Sequence, residues 1–249
     1  MTAQLIDGNA LAAQIRAEVA GRTAALKARG IQPHLAIILV GDNPASQVYV
    51  KSKAADSEQT GLKATLERYP ASLPESALLE RIAAETAEAR AGRPARIIAK
   101  MNSLIEPGII RALYEASRAG VQIDLIVRGM CTLRPGVPGL SENIRVRSII
   151  GRLLEHSRVF YFHSGGREEL FIASADWMSR NFFRRIEICT PVENLAIKQR
   201  IMREALTLAL ADNRKAWLMQ PDGSYVRAAA QEGEEGLDMQ ETLLNEYRR

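Results

Sequence analysis

The sequence predicts an α/β protein. Short apolar runs rich in branched residues read as buried strands, segments with helical spacing lie between them, and Gly, Pro or Asn punctuates the changeovers. From Asn9 to Gly30 the apolar Leu11, Ile15, Val19, Ala24 and Leu26 keep helical spacing, and Gly30 is a natural stop. His34 to Val40 is a continuous apolar run closed by Gly41, which favours a buried strand over a helix. Asn43 as cap and Pro44 in the first turn open a second helix, running to about Gly61. Leu62 to Tyr69 alternates as a strand, and Pro74-Glu75-Ser76 starts a third helix toward Arg90. Ala91-Gly92-Arg93-Pro94 breaks that helix. A strand (Arg96–Asn102), a helix (Pro107–Gly120) and a strand (Val121–Gly129) follow, then a Gly/Pro-rich loop from Leu133 to Ser141. Further β-like runs are Ile144–Ile149, Arg158–Phe162, Glu169–Ala173 and Arg185–Thr190. A helix, Val192–Asp212, precedes a closing segment, Ala216–Arg227. No internal repeat occurs.

The 249 residues, 47% hydrophobic and 25% charged, fit one large domain or two small ones. No long apolar stretch suggests a membrane span, and the opening residues lack the basic-then-apolar pattern of a secretory signal, so the expected compartment is cytoplasmic. The two cysteines, Cys131 and Cys189, form no CxxC or Cys/His pattern, so neither a disulfide framework nor a structural zinc site is expected. The net charge of +4 is unevenly spread. Residues 91–227 carry about 21 basic against about 13 acidic groups, whereas 228–249 form an acidic tail expected to be mobile near its glycines. The basic stretch favours an anionic partner, and charge alone does not choose among nucleic acid, nucleotide and polyphosphate.

Ile6-Asp7-Gly8 and the run Val40 to Lys53, VGDNPASQVYVKSK, form a long and specific motif. Tyr49 and Lys53, four apart, project from one helix face, where a ring can stack on a flat heterocycle and an amine can move protons. Residues 1–86 resemble the start of methylenetetrahydrofolate dehydrogenase/cyclohydrolase. The resemblance implies that Tyr49 binds folate and Lys53 is the catalytic acid/base. It stops before the family's remaining active-site residues, and no GxGxxG-type loop follows a strand, so only a remnant folate site is expected.

Six blocks follow in order over residues 87–227: Ala91 to Asn102, Asp124 to Cys131, Leu133 to Gly136, Gly139 to Ile144, Leu154 to Arg158, and Ser174 to Met178. Phosphoryl transfer needs positioning and charge neutralisation on the phosphate oxygens, which suits the fork of Arg128 at the carboxyl end of a strand. Histidine suits proton donation to a leaving oxygen. The blocks are similar to the closing domain of polyphosphate kinase. That resemblance implies a phospholipase-D-like fold for this part, behind a truncated α/β segment, and ATP contacts from Arg128 and His156. His156 is then the catalytic acid/base or phosphate ligand, with Lys100 and Asn102 lining the same edge and Ser174 and Asp176 in support. The family's phosphorylated histidine and the ligands of its Mg2+ belong to other domains, so no metal site is expected in these residues.

Arg145, Arg147 and Arg152 read as a solvated basic face, His34 and His163 as structural or exposed, and Trp177 and Trp217 as core anchors. The partners implied are nucleotide, with ATP as substrate, and polyphosphate; nucleic acid is not expected. Three functions stay open: a polyphosphate kinase-like phosphotransferase lacking its phosphate-accepting domain, a nucleotide- or polyphosphate-binding module without turnover, and a chimera of two truncated enzymes. In the last, apolar surface left bare in the first segment would favour self-association into a homo-oligomer.

Overall fold

The computed structural model describes residues 7–40, 44–69, 75–185 and 187–248. The expected cap Asn43, the Gly41 turn and the Pro74 helix start lie outside them. The chain divides into two compact units, residues 1–71 and 72–249. Among the described residues no helix is long and apolar enough to cross a membrane.

The first unit holds α1 (Gly8–Ala28), β1 (His34–Val40), α2 (Pro44–Gln59) and β2 (Lys63–Tyr69). Asp7 caps α1 by accepting from the Asn9 and Ala10 N–H groups, which have no partner within the helix. The two strands pair in parallel, His34 against Lys63. Ile37, Leu39 and Val50 form a small core, and Arg16 of α1 pairs with Asp56 of α2 at 2.7 Å.

The second unit is built on an eight-stranded sheet. Its members are β3 (Arg96–Met101), β4 (Gln122–Val127), β5 (Ile144–Ile149), β6 (Arg158–Phe162), β7 (Glu169–Ala173), β8 (Cys189–Pro191), β9 (Ala216–Met219) and β10 (Tyr225–Arg227). The order is β10-β9-β5-β4-β3-β6-β7-β8, with β5, β4 and β3 parallel and the flanking pairs antiparallel. Alternation sorts the side chains of the central strands onto two faces. Ile97, Ala99, Met101, Ile123, Leu125 and Val127 pack with α3 (Glu75–Arg90) and α4 (Pro107–Arg118). On the opposite face Ile98, Ile126, Val159 and Tyr161 pack with Leu206, Leu208 and Met239.

Local rules explain the joints. Glu106 caps α4 with Pro107 in its first turn, and Ile109, Ile110, Leu113 and Ala116 give it one buried stripe. Its carboxyl end closes where the Val121 N–H reaches the Ala116 carbonyl, with Gly120 at φ 101°, a region that suits glycine. α3 is tied to the sheet by Glu85, which accepts from the Arg96 N–H at 3.1 Å and from the Ser164 N–H. Burial pushes the Glu85 carboxyl up, against the pull of those two N–H groups.

Several expectations are corrected. Within the run Arg185–Thr190, which follows the helix α5 (Ser179–Arg184), the paired strand begins at Cys189, and the Ile188 N–H before it is taken by the Ser174 hydroxyl. The helix expected from Val192 begins at Leu195, since Asn194 caps it through the Ile197 N–H. It continues as α6 (Leu195–Ile201), a π turn (Met202–Thr207) and α7 (Leu208–Ala211). The segment Ala216–Arg227 is a hairpin turned at Gly223, φ 91°. Beyond the glycines of the acidic tail, α8 (Met239–Glu246) is capped by Asp238 and docked where Asp212 accepts from the Met239 N–H at 2.9 Å. Arg147 is not on a solvated face; its guanidinium caps the carboxyl end of α7 through the Ala209 and Leu210 carbonyls. Trp177 is fully buried against Phe160, ring centroids 5.1 Å apart, but Trp217 is 37% exposed and no core anchor.

The buried Ile82 joins α3 to the core of the second unit. Ile82→Ala is expected to lower the stability of that unit by about 2–5 kcal/mol, measured by urea unfolding. A change below about 0.5 kcal/mol, the size of an ordinary surface substitution, would show that α3 is not integral to it.

Candidate functional site

In the second unit, the parallel β3 and β4 end at one edge of the sheet, and the antiparallel β6 begins there, Lys100 lying opposite Val159. Past the strands the chain stays paired: the Arg128 N–H donates to the Met101 carbonyl at 3.2 Å and the Gly129 N–H to the Asn102 carbonyl at 2.8 Å. Gly129 is required at this approach, because a Cβ there would lie 2.9 Å from the Asn102 oxygen. Leu104 continues the ladder by bridging both Cys131 and Trp177.

Asp176, 5% exposed, is the centre of this edge. Its Oδ1 accepts from the Asn102 N–H at 2.7 Å and from Arg158 Nε at 3.2 Å, while Oδ2 accepts from Arg158 Nη2 at 3.1 Å. Burial alone would push its carboxyl up, but the Arg158 hydrogen bonds, the Asn102 N–H and the Arg158 charge together hold it below the usual range. Arg158 Nη1 also reaches His156, its carbonyl at 3.1 Å and ring Nδ1 at 3.2 Å. His156 itself is exposed. Asn102 is buried, and neither polar atom of its side chain has a hydrogen-bond partner.

Lys100 is buried and paired with Glu155 at 2.6 Å. Gln240 of α8 completes that pair by donating to the other Glu155 oxygen at 2.6 Å. A cavity of about 360 Å³ lies over them, lined also by Leu153, Ser157 and Met239. Arg128 lines a separate cavity of about 340 Å³ with Gly129, Ser148, Ile150, Trp217 and Tyr225. Its Nε is buried and unpartnered.

The structure thus gathers His156, Asn102 and Asp176 around Arg158, sets Lys100 beside them in an ion pair, and turns Arg128 toward a neighbouring cavity that His156 does not line. Ser174 serves a different end, because its hydroxyl bonds Glu187 and accepts from the Ile188 N–H at 2.9 Å, fastening the chain before β8. In the first unit Tyr49 is 63% exposed on α2, with Lys53 Nζ 4.9 Å from its ring centroid. His34 bonds Thr65 at 2.9 Å, and His163 Nδ1 is buried without a partner. Sequence reading overlooks Glu155 and undervalues Arg158. The alternation of β6 carries the signal, since it puts Arg158 on the same side as the buried Phe160, where a cation needs a carboxylate.

Among the described residues no three His, Cys, Asp or Glu side chains are grouped to hold a metal ion. Both cysteines are free, and burial pushes each thiol up to about 11.

Residues 70–240 match the polyphosphate kinase C-terminal domain 2 family, and residues 6–91 match the catalytic domain of tetrahydrofolate dehydrogenase/cyclohydrolase. The two matches overlap across α3. The polyphosphate kinase of Neisseria meningitidis serogroup B is 68% identical over 166 residues, which are 67% of this chain and 24% of that protein. A crystal structure of polyphosphate kinase from Porphyromonas gingivalis aligns with a TM-score of 0.67 and 37% identity, covering 71% of this chain and 27% of the other. The structure of the bifunctional methylenetetrahydrofolate dehydrogenase/cyclohydrolase from Campylobacter jejuni is 43% identical over 33% of this chain and 29% of its own, with a TM-score of 0.28. The chain spans about a quarter of the length of the curated relatives it matches.

Asp176 is held below its unfolded value near pH 4, so the stability it contributes is complete above that pH and is lost as pH falls through the lower folded value. Asp176→Asn is expected to cost about 3–5 kcal/mol at pH 7, as for one half of a buried ion pair. The difference from wild type should narrow below about pH 4. Urea unfolding at pH 7 and pH 3 checks this; a difference independent of pH would contradict it.

Proposed function

This chain belongs to the polyphosphate kinase C-terminal domain 2 family, and we propose that its second unit binds the phosphates of nucleotide and polyphosphate at the sheet edge carrying Arg128, Asn102 and His156. The observation that supports this most directly is the buried, unpartnered Nε of Arg128. A desolvated guanidinium nitrogen without a hydrogen bond is costly, and a phosphate oxygen is an acceptor that would satisfy it in fork geometry. The two unpartnered atoms of Asn102, one strand away, offer a neutral donor and acceptor beside it.

In this reading the chain contributes to phosphoryl transfer by holding phosphate oxygens and spreading their charge. Arg128 takes the oxygens, and the exposed imidazole of His156 donates to or accepts from an oxygen that changes partner. Lys100 is neutralised by Glu155, so its part is to fix that loop, and it reaches phosphate only if Glu155 gives way. The Mg2+ that the family resemblance implies would take its protein ligands from outside these residues. The phosphate-carrying histidine of the family would have to come from outside the matched residues. Alone, the chain is then a binding domain of a polyphosphate kinase-like phosphotransferase, and turnover is expected to be slow.

Calorimetry with tripolyphosphate and with ADP at low salt tests the reading. Arg128→Ala is expected to weaken both by about tenfold or more, the loss of one charge-assisted hydrogen-bonding fork. Equal affinity for wild type and variant would remove Arg128 from the site. Conversion of polyphosphate and ADP to ATP at the rate of an intact enzyme would overturn the view that the chain only binds.

A further inference from the structure

A cation two residues beyond a site histidine invites assignment as a second phosphate ligand. The geometry points elsewhere: we infer that Arg158 is a positioning residue that acts on phosphate only through His156. This rests on the reading of His156 as a phosphate-contacting group.

All three guanidinium nitrogens of Arg158 already have partners. Nε and Nη2 form a two-point clasp on Asp176, and the side chain is only 14% exposed. Nη1 spans the carbonyl of His156 at 3.1 Å, ring Nδ1 at 3.2 Å and ring Nε2 at 3.4 Å. A guanidinium only donates, so the ring nitrogen that takes its hydrogen must be the acceptor, and both ring nitrogens lie within reach of the same Nη1. Asp176 in turn is anchored by the buried Asn102 N–H. The chain of contacts runs from the end of β3 through Asp176 and Arg158 to an imidazole that would otherwise move freely at the surface. A planar fork can make this three-way link; an ammonium cannot bridge two carboxylate oxygens and a ring with the same rigidity.

Two measurements on the full chain test the inference. The first is a double-mutant cycle for tripolyphosphate binding with Arg158→Ala and His156→Ala. If Arg158 acts through His156, R158A is expected to weaken binding several-fold in the wild-type background and to change it less than twofold when His156 is already absent. Equal losses in both backgrounds would overturn the inference, because they mean direct phosphate contact or general damage. The second is the rate at which diethylpyrocarbonate modifies each of the three histidines, read by mass spectrometry. Modification of His156 is expected to speed up several-fold in R158A and in Asp176→Asn, although Asp176 does not touch the ring, with His34 unchanged as internal reference. An unchanged rate at His156 in both variants would also overturn it. Arg158→Lys, which keeps the charge and loses the fork, carries both measurements if R158A does not fold. Should wild type fail to bind tripolyphosphate, the proposed function falls, and the modification rates still decide the role of Arg158.

Discussion

One buried ion pair organises the sheet edge of the second unit where β3 ends and β6 begins. Asp176 is nearly sealed from solvent, and an isolated carboxylate there would be strongly disfavoured. It is tolerable because Arg158 closes on both of its oxygens and the Asn102 N–H adds a third hydrogen bond. Each partner comes from a different part of the sheet: Asn102 from the end of β3, Arg158 from the start of β6, and Asp176 from the chain beyond β7. The pair therefore does more than offset its own desolvation. It fixes three chain segments that the backbone ladders leave at their ends, and the exposed His156 inherits its place from them. Hydrophobic packing supports the same point from beneath, where Trp177, the residue after Asp176, lies against Phe160, two residues after Arg158.

The sequence makes some of this legible and conceals the rest, for physical reasons. The β3-α4-β4 unit is readable because helix period, cap and glycine stop all agree locally, and a local signal needs no knowledge of partners. The residues gathered at the edge are found by their order in specific blocks. Their pairing is not, because Lys100 and Glu155 are 55 residues apart and Arg158 and Asp176 are 18 apart, and chain spacing carries no information about such contacts. Arg147 escapes sequence reading for the same reason: only the fold brings the α7 carbonyls over β5. Trp217 misleads because an indole is equally suited to a core and to a cavity wall. The acidic tail is expected to be mobile near its glycines, and beyond them Asp238 caps a helix and Met239 supplies an apolar anchor, features that a net charge averages away.

The helix α3 shows how two unrelated matches can share one segment without strain. A helix asks little of its sequence beyond one apolar stripe and caps. Here Leu78 and Ile82 join the core of the second unit, Arg81 stacks over Phe171 at 4.5 Å, and Glu85 secures two N–H groups beside β3 and β6. Those contacts use inward positions only, and outward ones are free to follow another ancestry.

The basic excess of the stretch after α3 is a weaker guide to the site than it first looks. Arg96 and Arg145 both serve Asp124, Lys100 serves Glu155, Arg158 serves Asp176, and Arg200 and Arg203 serve Glu204 and Glu246. Cations so paired are largely committed to structure, and the exposed ones among them are screened within about 10 Å at ordinary salt. What distinguishes Arg128 is its environment rather than its charge. A guanidinium nitrogen withdrawn from water, without a carboxylate or carbonyl to receive its hydrogen, and set against a cavity, retains the electrostatic attraction that the paired cations have lost. At this edge Arg128 and Asn102 both keep buried polar atoms without a partner, among cations that are already paired.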